Sequence, residues 1–168
     1  MARWIQQLIV LCLLLALLGL VQWWRRSAAL EAGRVEGRPH VIDGDSLRIG
    51  GSEIRLDGID APESRQTCQR DEETWPCGRR VRDELDRLIA GRSVVCRGRE
   101  RDQHGRMLGM CEVEGLAVNS AMVRAGWAVA YDGRLANEER EARAARRGLW
   151  AGEFERPRDW RRRNGVGR

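Results

Sequence analysis

The sequence predicts an α+β domain, built on a small five-stranded β-barrel with about three helices and preceded by an N-terminal transmembrane helix. Three observations lead to this prediction. Short apolar runs separated by turn residues occupy residues 38–57 and 93–113, as is typical of short strands. Apolar stripes at helical spacing follow within residues 78–147, where they indicate amphipathic helices. A long uncharged stretch precedes both regions.

The uncharged stretch at residues 4–24 predicts a transmembrane helix. We assign residues 1–26 to this N-terminal membrane anchor. A helix of 21 residues spans about 30 Å, the thickness of a bilayer core. Tryptophans stand at both ends, where indole rings favour the membrane interface. The alternative is a signal peptide cleaved at the small residues 27–29, but Arg25 and Arg26 directly before them favour an uncleaved anchor. A short polar linker, 27–37, follows.

Three strands joined by tight turns are predicted at the start of the domain. Alternating apolar residues define each strand, and glycine-containing pairs mark the turns. The strands are expected at 38–42, 46–49 and 53–57, with turns at 43–45 and 50–51.

The third strand and the turn after it carry the charged groups of interest. Ile54 and Leu56 alternate with Arg55, so the arginine faces away from the core. The turn at 60–63 is fixed by a proline and projects two carboxylates. Residues 41–63 therefore combine one arginine with acids at 43, 45, 60 and 63. Hard oxygen ligands beside an arginine indicate a divalent-cation site that faces a phosphate.

The remainder of the domain predicts two more strands and three helices. Residues 78–90 form an amphipathic helix with one apolar stripe. Five strands in this arrangement fit an oligonucleotide/oligosaccharide-binding (OB) barrel over residues 38–155. The other expected elements are a polar loop at 64–77, strands at 93–97 and 107–113 around a turn at 102–105, helices at 118–125 and 137–147, and a frayed, solvated basic tail at 156–168.

The net charge of +5 is concentrated at the two ends of the chain. Residues 1–34 carry +3 and residues 156–168 carry +5, so residues 35–155 carry −3. Every basic residue is arginine, which also weakens arginine content as a sign of phosphate binding. A nucleic-acid partner therefore cannot be inferred from bulk charge and must be argued from the site.

Four cysteines in the domain allow three pairings. Cys96 and Cys111 flank the predicted turn symmetrically and would face each other across an antiparallel hairpin. Cys68 and Cys77 would then close the loop that follows the acidic turn. The alternative is four reduced cysteines.

The two predicted disulfides place the domain in an oxidising compartment. The positive-inside rule, applied to Arg25 and Arg26, favours the opposite orientation. The cysteines carry more weight, because the whole domain must lie on one side of the membrane. We therefore expect a single-pass membrane protein with a periplasmic or extracellular domain; a cleaved and secreted form is the lesser expectation.

Five motifs, in order, resemble the staphylococcal nuclease (thermonuclease) family. The resemblance covers about residues 38–155 and implies an OB-fold nuclease that hydrolyses DNA or RNA to a 3′-phosphate and a 5′-hydroxyl. The motifs are IDGDS at 42–46, IRLDGIDAPE at 54–63, DQHGR at 102–106, MVRAGWAVAY at 122–131 and RRGLW at 146–150.

Asp45 and Asp60 are the expected metal ligands, joined by the backbone carbonyl of Ala61. Few protein ligands, all of them oxygen, suit Ca²⁺, or Mg²⁺ with more waters. The resemblance implies one Ca²⁺ per site. Asp43 would add negative field without touching the metal.

Glu63, Arg55 and Arg106 are the expected catalytic residues. Glu63 can hold or deprotonate an attacking water. The two arginines can bind the phosphate from two sides and neutralise the charge that develops on its oxygens. Tyr131 matches a family tyrosine near the bound nucleotide, and His104 stands where the family often has tyrosine, which implies substrate-binding roles for both.

The main alternative is a catalytically silent member of the same fold that binds nucleic acid or a protein. The chain keeps every expected acid and arginine, which favours activity, although Ser46 and Ala61 stand where the family commonly has threonine. A sugar-binding barrel would need aromatic platforms, and one tyrosine and one phenylalanine offer little. We expect a nucleic-acid substrate and a membrane contact through residues 4–24; no protein partner can be inferred.

Overall fold

The computed structural model describes residues 2–31 and 33–165 of the chain. Two compact units are present, residues 1–34 and 35–168. The first unit contains the helix α1 (Ala2–Glu31). Within the described residues, no helix is both long and apolar enough to cross a membrane.

The anchor predicted at residues 4–24 falls within α1. Some of its side chains, at positions 5, 6, 8–10 and 24, lie outside the described ones. The anchor therefore stays a prediction from the sequence.

The second unit is an α+β domain in which a mixed sheet is flanked by helices. A short 3₁₀ turn, Gly148–Ala151, follows the fourth helix. The strands are β1 (Arg34–Gly37), β2 (His40–Asp43), β3 (Ser46–Ile49), β4 (Ser52–Leu56), β5 (Ile59–Asp60), β6 (Cys68–Arg70), β7 (Glu73–Trp75), β8 (Val94–Arg97), β9 (Met107–Val113), β10 (Leu116–Ala117) and β11 (Val129–Ala130). The helices are α2 (Cys77–Ile89), α3 (Val118–Arg124), α4 (Ala136–Ala144) and α5 (Pro157–Asn164).

The order of strands in the main sheet is β1-β8-β9-β4-β3-β2, with β10 paired to β9. Strands β2, β3 and β4 form an antiparallel meander, whereas β4 pairs with β9 in parallel. The register places Ser46 opposite Arg55 and Arg55 opposite Leu108. Residues that are far apart in the sequence therefore meet in one row across β3, β4 and β9.

Apolar side chains on the inner face of the sheet pack against α2. Leu47, Ile54 and Leu56 are fully buried, and each such side chain contributes about 1.5–3 kcal/mol through burial. From α2, Val81 and Leu85 are buried against the same core. The helix thus braces the meander that carries the acidic turns.

A glycine at the start of α2 allows close packing on the second acidic turn. A Cβ atom at Gly78 would lie 1.8 Å from the carbonyl oxygen of Glu63. The N–H of Gly78 donates to the carbonyl of Gln66 at 3.1 Å. Any larger residue at position 78 would therefore push α2 away from the turn that carries Glu63.

All five predicted strands and all three predicted helices are present near their expected bounds. The structure adds elements that the sequence did not predict: β1 lies in the expected linker, and the β6–β7 hairpin lies in the expected loop. The expected frayed tail is wrong, because α5 forms there.

Closure of the sheet into a barrel is a separate question. Among the described strands, β8 pairs with β1 and the other end of the sheet is β2. Closure into the five-stranded OB barrel stays a prediction.

Both predicted disulfides are present. Cys96 and Cys111 are directly opposite each other in the β8–β9 hairpin, with Cα atoms 4.1 Å apart. Cys68 and Cys77 join β6 to the start of α2, with Cα atoms 5.6 Å apart. The first disulfide fixes the hairpin whose turn carries Arg106, and the second closes the loop beyond the acidic turn.

Candidate active site

One open cleft of about 740 Å³ is lined by Asp43, Arg55, Glu63 and Arg106. The other two predicted acids, Asp45 and Asp60, are buried and pair with Arg55. The β2–β3 turn contributes Asp43 and Asp45, and β4 contributes Arg55. Strand β5 and the turn after it contribute Asp60 and Glu63. The cleft is lined by Asp43, Glu53, Arg55, Leu56, Asp57, Gly58, Ile59, Glu63, Asp102, Gln103, His104, Arg106, Leu108, Tyr131 and Arg161.

Arg55 joins the two predicted metal-binding acids. Its Nη1 contacts Oδ1 of Asp45, and its Nη2 donates to Oδ1 of Asp60 at 2.9 Å. Both aspartates are 2 % exposed. The other oxygen of Asp45 accepts the backbone N–H of Ala61 at 2.7 Å. The two carboxylates are thus held side by side, sharing one guanidinium.

Burial sets the electrostatics of this trio. Loss of solvation raises the pKa of Asp45 well above its usual value, and the charge of Arg55 only partly opposes that effect. Burial by itself lowers the pKa of Arg55, but the neighbouring Asp45 and Asp60 outweigh it and the pKa is raised. Arg55 therefore stays cationic, while burial favours the neutral form of Asp45 by more than the one shared arginine opposes.

Asp43 lies two residues before Asp45 in the turn and forms a hydrogen bond with it. Its Oδ1 accepts the backbone N–H of Asp45 at 3.1 Å. Its negative charge is among the influences that raise the pKa of Asp45. This placement agrees with the expected field effect.

Arg106 approaches the same cleft from the turn before β9. Its Nε and Nη2 donate to Oδ2 of Asp102 at 2.8 and 2.7 Å. Its Nη1 donates to the hydroxyl of Ser46 at 3.3 Å, and that hydroxyl in turn donates to Asp45. Arg106 is therefore linked to Asp45 through Ser46, which lies 60 residues before it in the sequence.

Glu63 lines the cleft, and hydrogen bonds between its backbone and Gln66 fix its position. Its N–H donates to the side chain of Gln66 at 3.3 Å, and its carbonyl accepts from the N–H of Gln66 at 2.7 Å. Gln66 is fully buried and donates to the carbonyl of Glu155 at 2.6 Å. These contacts leave the Glu63 carboxylate directed into the cleft.

Arg161 is the site residue that the sequence prediction missed. From α5, its Nη1 and Nη2 donate to the two oxygens of Asp60 at 2.8 and 3.1 Å. Nη1 also donates to Oε1 of Glu63 at 2.9 Å. Burial alone would lower the pKa of Arg161, but its bonds to these two acids raise it. The expectation of a solvated charge run is wrong for this residue, whose side chain is 23 % exposed.

Tyr131 and His104 line the same cleft, as expected of substrate-binding residues. Tyr131 is 63 % exposed, and its backbone N–H donates to the carbonyl of Gly58 at 3.0 Å. The backbone N–H of His104 donates to Asp102 at 2.9 Å, which fixes the turn. Both rings are therefore available to a molecule in the cleft, and their roles stay predictions.

The donor set suits a hard cation, although no metal cluster is evident. Among the described residues, no group of three or more His, Cys, Asp or Glu side chains could hold a metal ion. The predicted set needs only two carboxylates, Asp45 and Asp60, with the Ala61 carbonyl and water. Both carboxylates are buried and neutralised by arginines alone. A cation would have to displace guanidinium groups to reach them.

The fold and the cleft define a class of α+β proteins in which one mixed sheet presents paired acids and arginines to an open groove. The family model described as Staphylococcal nuclease homologue matches residues 53–152, more than half of the chain. The chain belongs to the staphylococcal nuclease family.

Similar proteins come from bacteria and plants. The chain is 33 % identical over 130 residues to the succinoglycan biosynthesis protein ExoI of Rhizobium meliloti (strain 1021), covering 71 % of this chain and 68 % of that protein. It is 39 % identical over 121 residues to an uncharacterized endonuclease of Escherichia coli O157:H7, covering 66 % and 73 %. It is 43 % identical over 115 residues to the probable staphylococcal-like nuclease CAN3 of Oryza sativa subsp. japonica, covering 65 % of this chain but 28 % of that protein.

The family match does not contain the whole site. Arg55, Asp60, Glu63 and Arg106 lie inside residues 53–152. Asp45 and Arg161 lie outside that range, on opposite sides of it. Helix α5 therefore lies beyond the residues that the family model matches.

Proposed function

We propose that this chain is a cation-dependent nuclease that hydrolyses phosphodiester bonds of DNA or RNA. One observation carries the proposal: Arg55, Glu63 and Arg106, which come from separate elements, line one cleft, and Arg55 pairs with the buried Asp45 and Asp60. Phosphodiester hydrolysis needs these groups, namely a base for water and positive charge for the phosphate oxygens. Membership of the nuclease family supports the same activity.

Each residue has a distinct task in the proposed reaction. Glu63 takes a proton from the attacking water, since its carboxylate faces the cleft beside Asp60. Arg55 and Arg106 hold the phosphate and stabilise the charge that grows as the new P–O bond forms. The P–O bond to the 5′ oxygen breaks, which gives a 3′-phosphate and a 5′-hydroxyl.

Asp45 and Asp60 would hold the cation, with the Ala61 carbonyl as a further ligand. We propose Ca²⁺, because resemblance to the staphylococcal nuclease family implies it and Ca²⁺ accepts irregular sets of oxygen ligands that water completes. When bound, the cation would supply positive charge to the substrate phosphate. The protein's own contribution is to keep both aspartates ionisable and close, through Arg55 and the N–H of Ala61.

The direct test is digestion of a labelled single-stranded DNA by the full chain, in Ca²⁺ and in excess chelator. The expected result is cleavage in Ca²⁺, loss of cleavage in chelator, and 3′-phosphate ends by mass spectrometry. Equal rates under both conditions would contradict the cation-dependent mechanism.

The alternative is a catalytically silent protein of the same fold that binds nucleic acid or a protein. One observation supports it, the pairing of Arg161 with Asp60 and Glu63. A permanent pair would leave neither acid free to act. If the folded, oxidised protein binds the DNA but does not cleave it in Ca²⁺, this alternative replaces the nuclease.

We also propose that the enzyme works outside the cytoplasm and is tethered to the membrane. The two disulfides support an oxidising compartment. The tether rests on the uncharged residues 4–24 in the sequence. Recovery of the protein from washed membranes, with the domain accessible to protease added outside the cytoplasm, would support both; a soluble cytoplasmic protein with free thiols would contradict both.

A further inference from the structure

Helix α5 is fixed in place at the edge of the candidate active site. Arg161 pairs with Asp60 and Glu63 in the cleft. Before the helix, Arg156 pairs with Glu139, whose side chain is 10 % exposed, at 3.1 Å. These ion pairs hold the basic helix against the domain at both of its ends.

A second cavity of about 340 Å³ lies between α5 and strand β11. Arg158 and Arg162 line it, and they stand four residues apart, on one face of the helix. Tyr131 lines both this cavity and the active-site cleft. The two spaces therefore have Tyr131 in common, and Asp60 of the acid pair and Asp159 of α5 also line the second one. We call the arginine-lined side of the second cavity the α5 path.

The arginines along this path are available to an anion. Arg162 pairs with Asp159 at 3.1 Å, but the two side chains are 77 % and 45 % exposed. Exposed pairs of this kind contribute little to stability, so a phosphate can replace Asp159 at small cost. Guanidinium groups bind phosphate oxygens with two parallel hydrogen bonds. The exposed ring of Tyr131 offers a surface on which an unpaired base can stack.

We propose that α5 is a substrate-binding element, in which Arg158 and Arg162 bind the backbone phosphate of the nucleotide next to the scissile bond. The ligand is single-stranded DNA or RNA, because stacking on Tyr131 requires an unpaired base. The proposal rests on the proposed nuclease function and extends it to residues outside the family match.

The same helix offers a matched control. Arg163 adjoins Arg162, yet it donates to Glu155 at 3.2 Å rather than facing the second cavity. Replacing Arg163 by glutamine removes the same charge from α5. Bulk attraction would therefore fall equally in both cases, whereas a built subsite would respond only to changes at 158 and 162.

The test is fluorescence anisotropy of a labelled 12-nucleotide single strand, titrated in Ca²⁺ with full-chain protein carrying Glu63→Gln to prevent turnover. Three further versions each carry one additional change, Arg158→Gln, Arg162→Gln or Arg163→Gln. Each lost phosphate contact lowers the slope of log K against log salt by about 0.7 for a single strand. We expect Arg158→Gln and Arg162→Gln each to lose up to about 0.7 in slope by the same rule, and the control Arg163→Gln to keep the slope of the Glu63→Gln protein.

The salt slopes of the variants distinguish a built subsite from bulk attraction. A larger loss of slope for Arg158→Gln and Arg162→Gln than for Arg163→Gln supports the subsite. Equal salt slopes for all three variants overturn the subsite, while cleavage by the unmodified chain leaves the nuclease proposal intact. If the unmodified chain neither binds nor cleaves nucleic acid, both proposals fail. The three side chains are exposed, and equal melting temperatures would show that every variant is folded.

Discussion

The acid-bearing stretch at residues 41–63 and the helix α5 each contribute an arginine that contacts Asp60, but over very different distances in the sequence. Within the stretch, Arg55 contacts acids only 5 and 10 residues away, on strand β5 and in the β2–β3 turn. Arg161 contacts Asp60 and Glu63 across 101 and 98 residues. The first region is part of the core of the domain, whereas the second is attached to it largely through ion pairs.

This difference predicts different consequences of change in the two regions. Arg55 is 17 % exposed and lies between two buried acids, so its loss affects both folding and chemistry. Arg161 lies at the cleft opening, where Asp60 retains Arg55 as a partner if Arg161 leaves. Changes in α5 should therefore alter binding while the fold persists.

The largest effect is expected from Arg55→Ala. The change leaves Asp45 and Asp60 buried without their shared partner, and breaking such a pair costs about 3–5 kcal/mol of unfolding free energy. Removing one donor that stabilises transition-state charge lowers the rate by roughly 100- to 1,000-fold. Denaturant unfolding in chelator and initial rates in Ca²⁺ measure the two effects.

The control for this change is Arg48→Ala, on the neighbouring strand β3. Arg48 pairs with Glu53, and both side chains are more than 40 % exposed, so its loss should cost less than about 1 kcal/mol. Equal losses of stability for the two variants would show that Arg55 does not hold the buried acids together.

A smaller effect is expected from Arg161→Gln, and it should be a gain, because Ca²⁺ should bind more tightly. Arg161 occupies both oxygens of Asp60, and like charges repel, so it competes with a cation for that acid. Removing it should tighten Ca²⁺ binding about tenfold, within the usual range of coupling between sites. Calorimetric titration with Ca²⁺ at fixed ionic strength measures this affinity, with Arg163→Gln as the matched control. Unchanged or weaker binding in Arg161→Gln would exclude competition.

The smallest effect is expected from Asp102→Asn, which loosens Arg106 without removing it. The variant should cleave about tenfold more slowly, because a misplaced group loses catalytic geometry. Asp83→Asn on α2 serves as the control, since Asp83 is 58 % exposed and pairs with Arg82 at 3.6 Å. Equal rates for Asp102→Asn and Asp83→Asn would remove Asp102 from any positioning role.

The Asp102–Arg106 pair also has a defined pH dependence. Burial raises the pKa of Asp102, but hydrogen bonds from Arg106 and from the N–H of His104 outweigh it, and the pKa is lowered. A lowered carboxyl pKa stabilises the fold above the unfolded value, near pH 4. The contribution is lost as the pH falls through the lowered pKa. Thermal melts of Asp102→Asn and the unmodified chain should therefore differ above pH 4 and converge only as the pH falls through the lowered pKa of Asp102.

Local patterns in the sequence were sufficient to predict the acid-bearing stretch at residues 41–63. Alternation in β4 gave the outward direction of Arg55, and the proline-containing turn gave the position of Glu63. The Cys96–Cys111 pairing followed from the symmetry of one hairpin. Each of these predictions depends on residues that are close in the chain.

The missed features depend on distant partners or on unusual turns. The hairpin β6–β7 turns through Asp71 and Glu72, which have φ values of 51° and 65°. Such conformations favour glycine and asparagine, so two acids gave no turn signal. Nothing in the run of arginines at 161–163 distinguishes Arg161, because its direction is set by Asp60, 101 residues away.

The central claim is that Glu63 acts on water beside a cation held by Asp45 and Asp60. The most direct test compares single-stranded DNA cleavage by the unmodified chain and by Glu63→Gln, both saturated with Ca²⁺. We predict a loss of about 100- to 10,000-fold, as for removal of a general base, with Ca²⁺ affinity and melting temperature retained. Cleavage by Glu63→Gln at the unmodified rate would contradict the account.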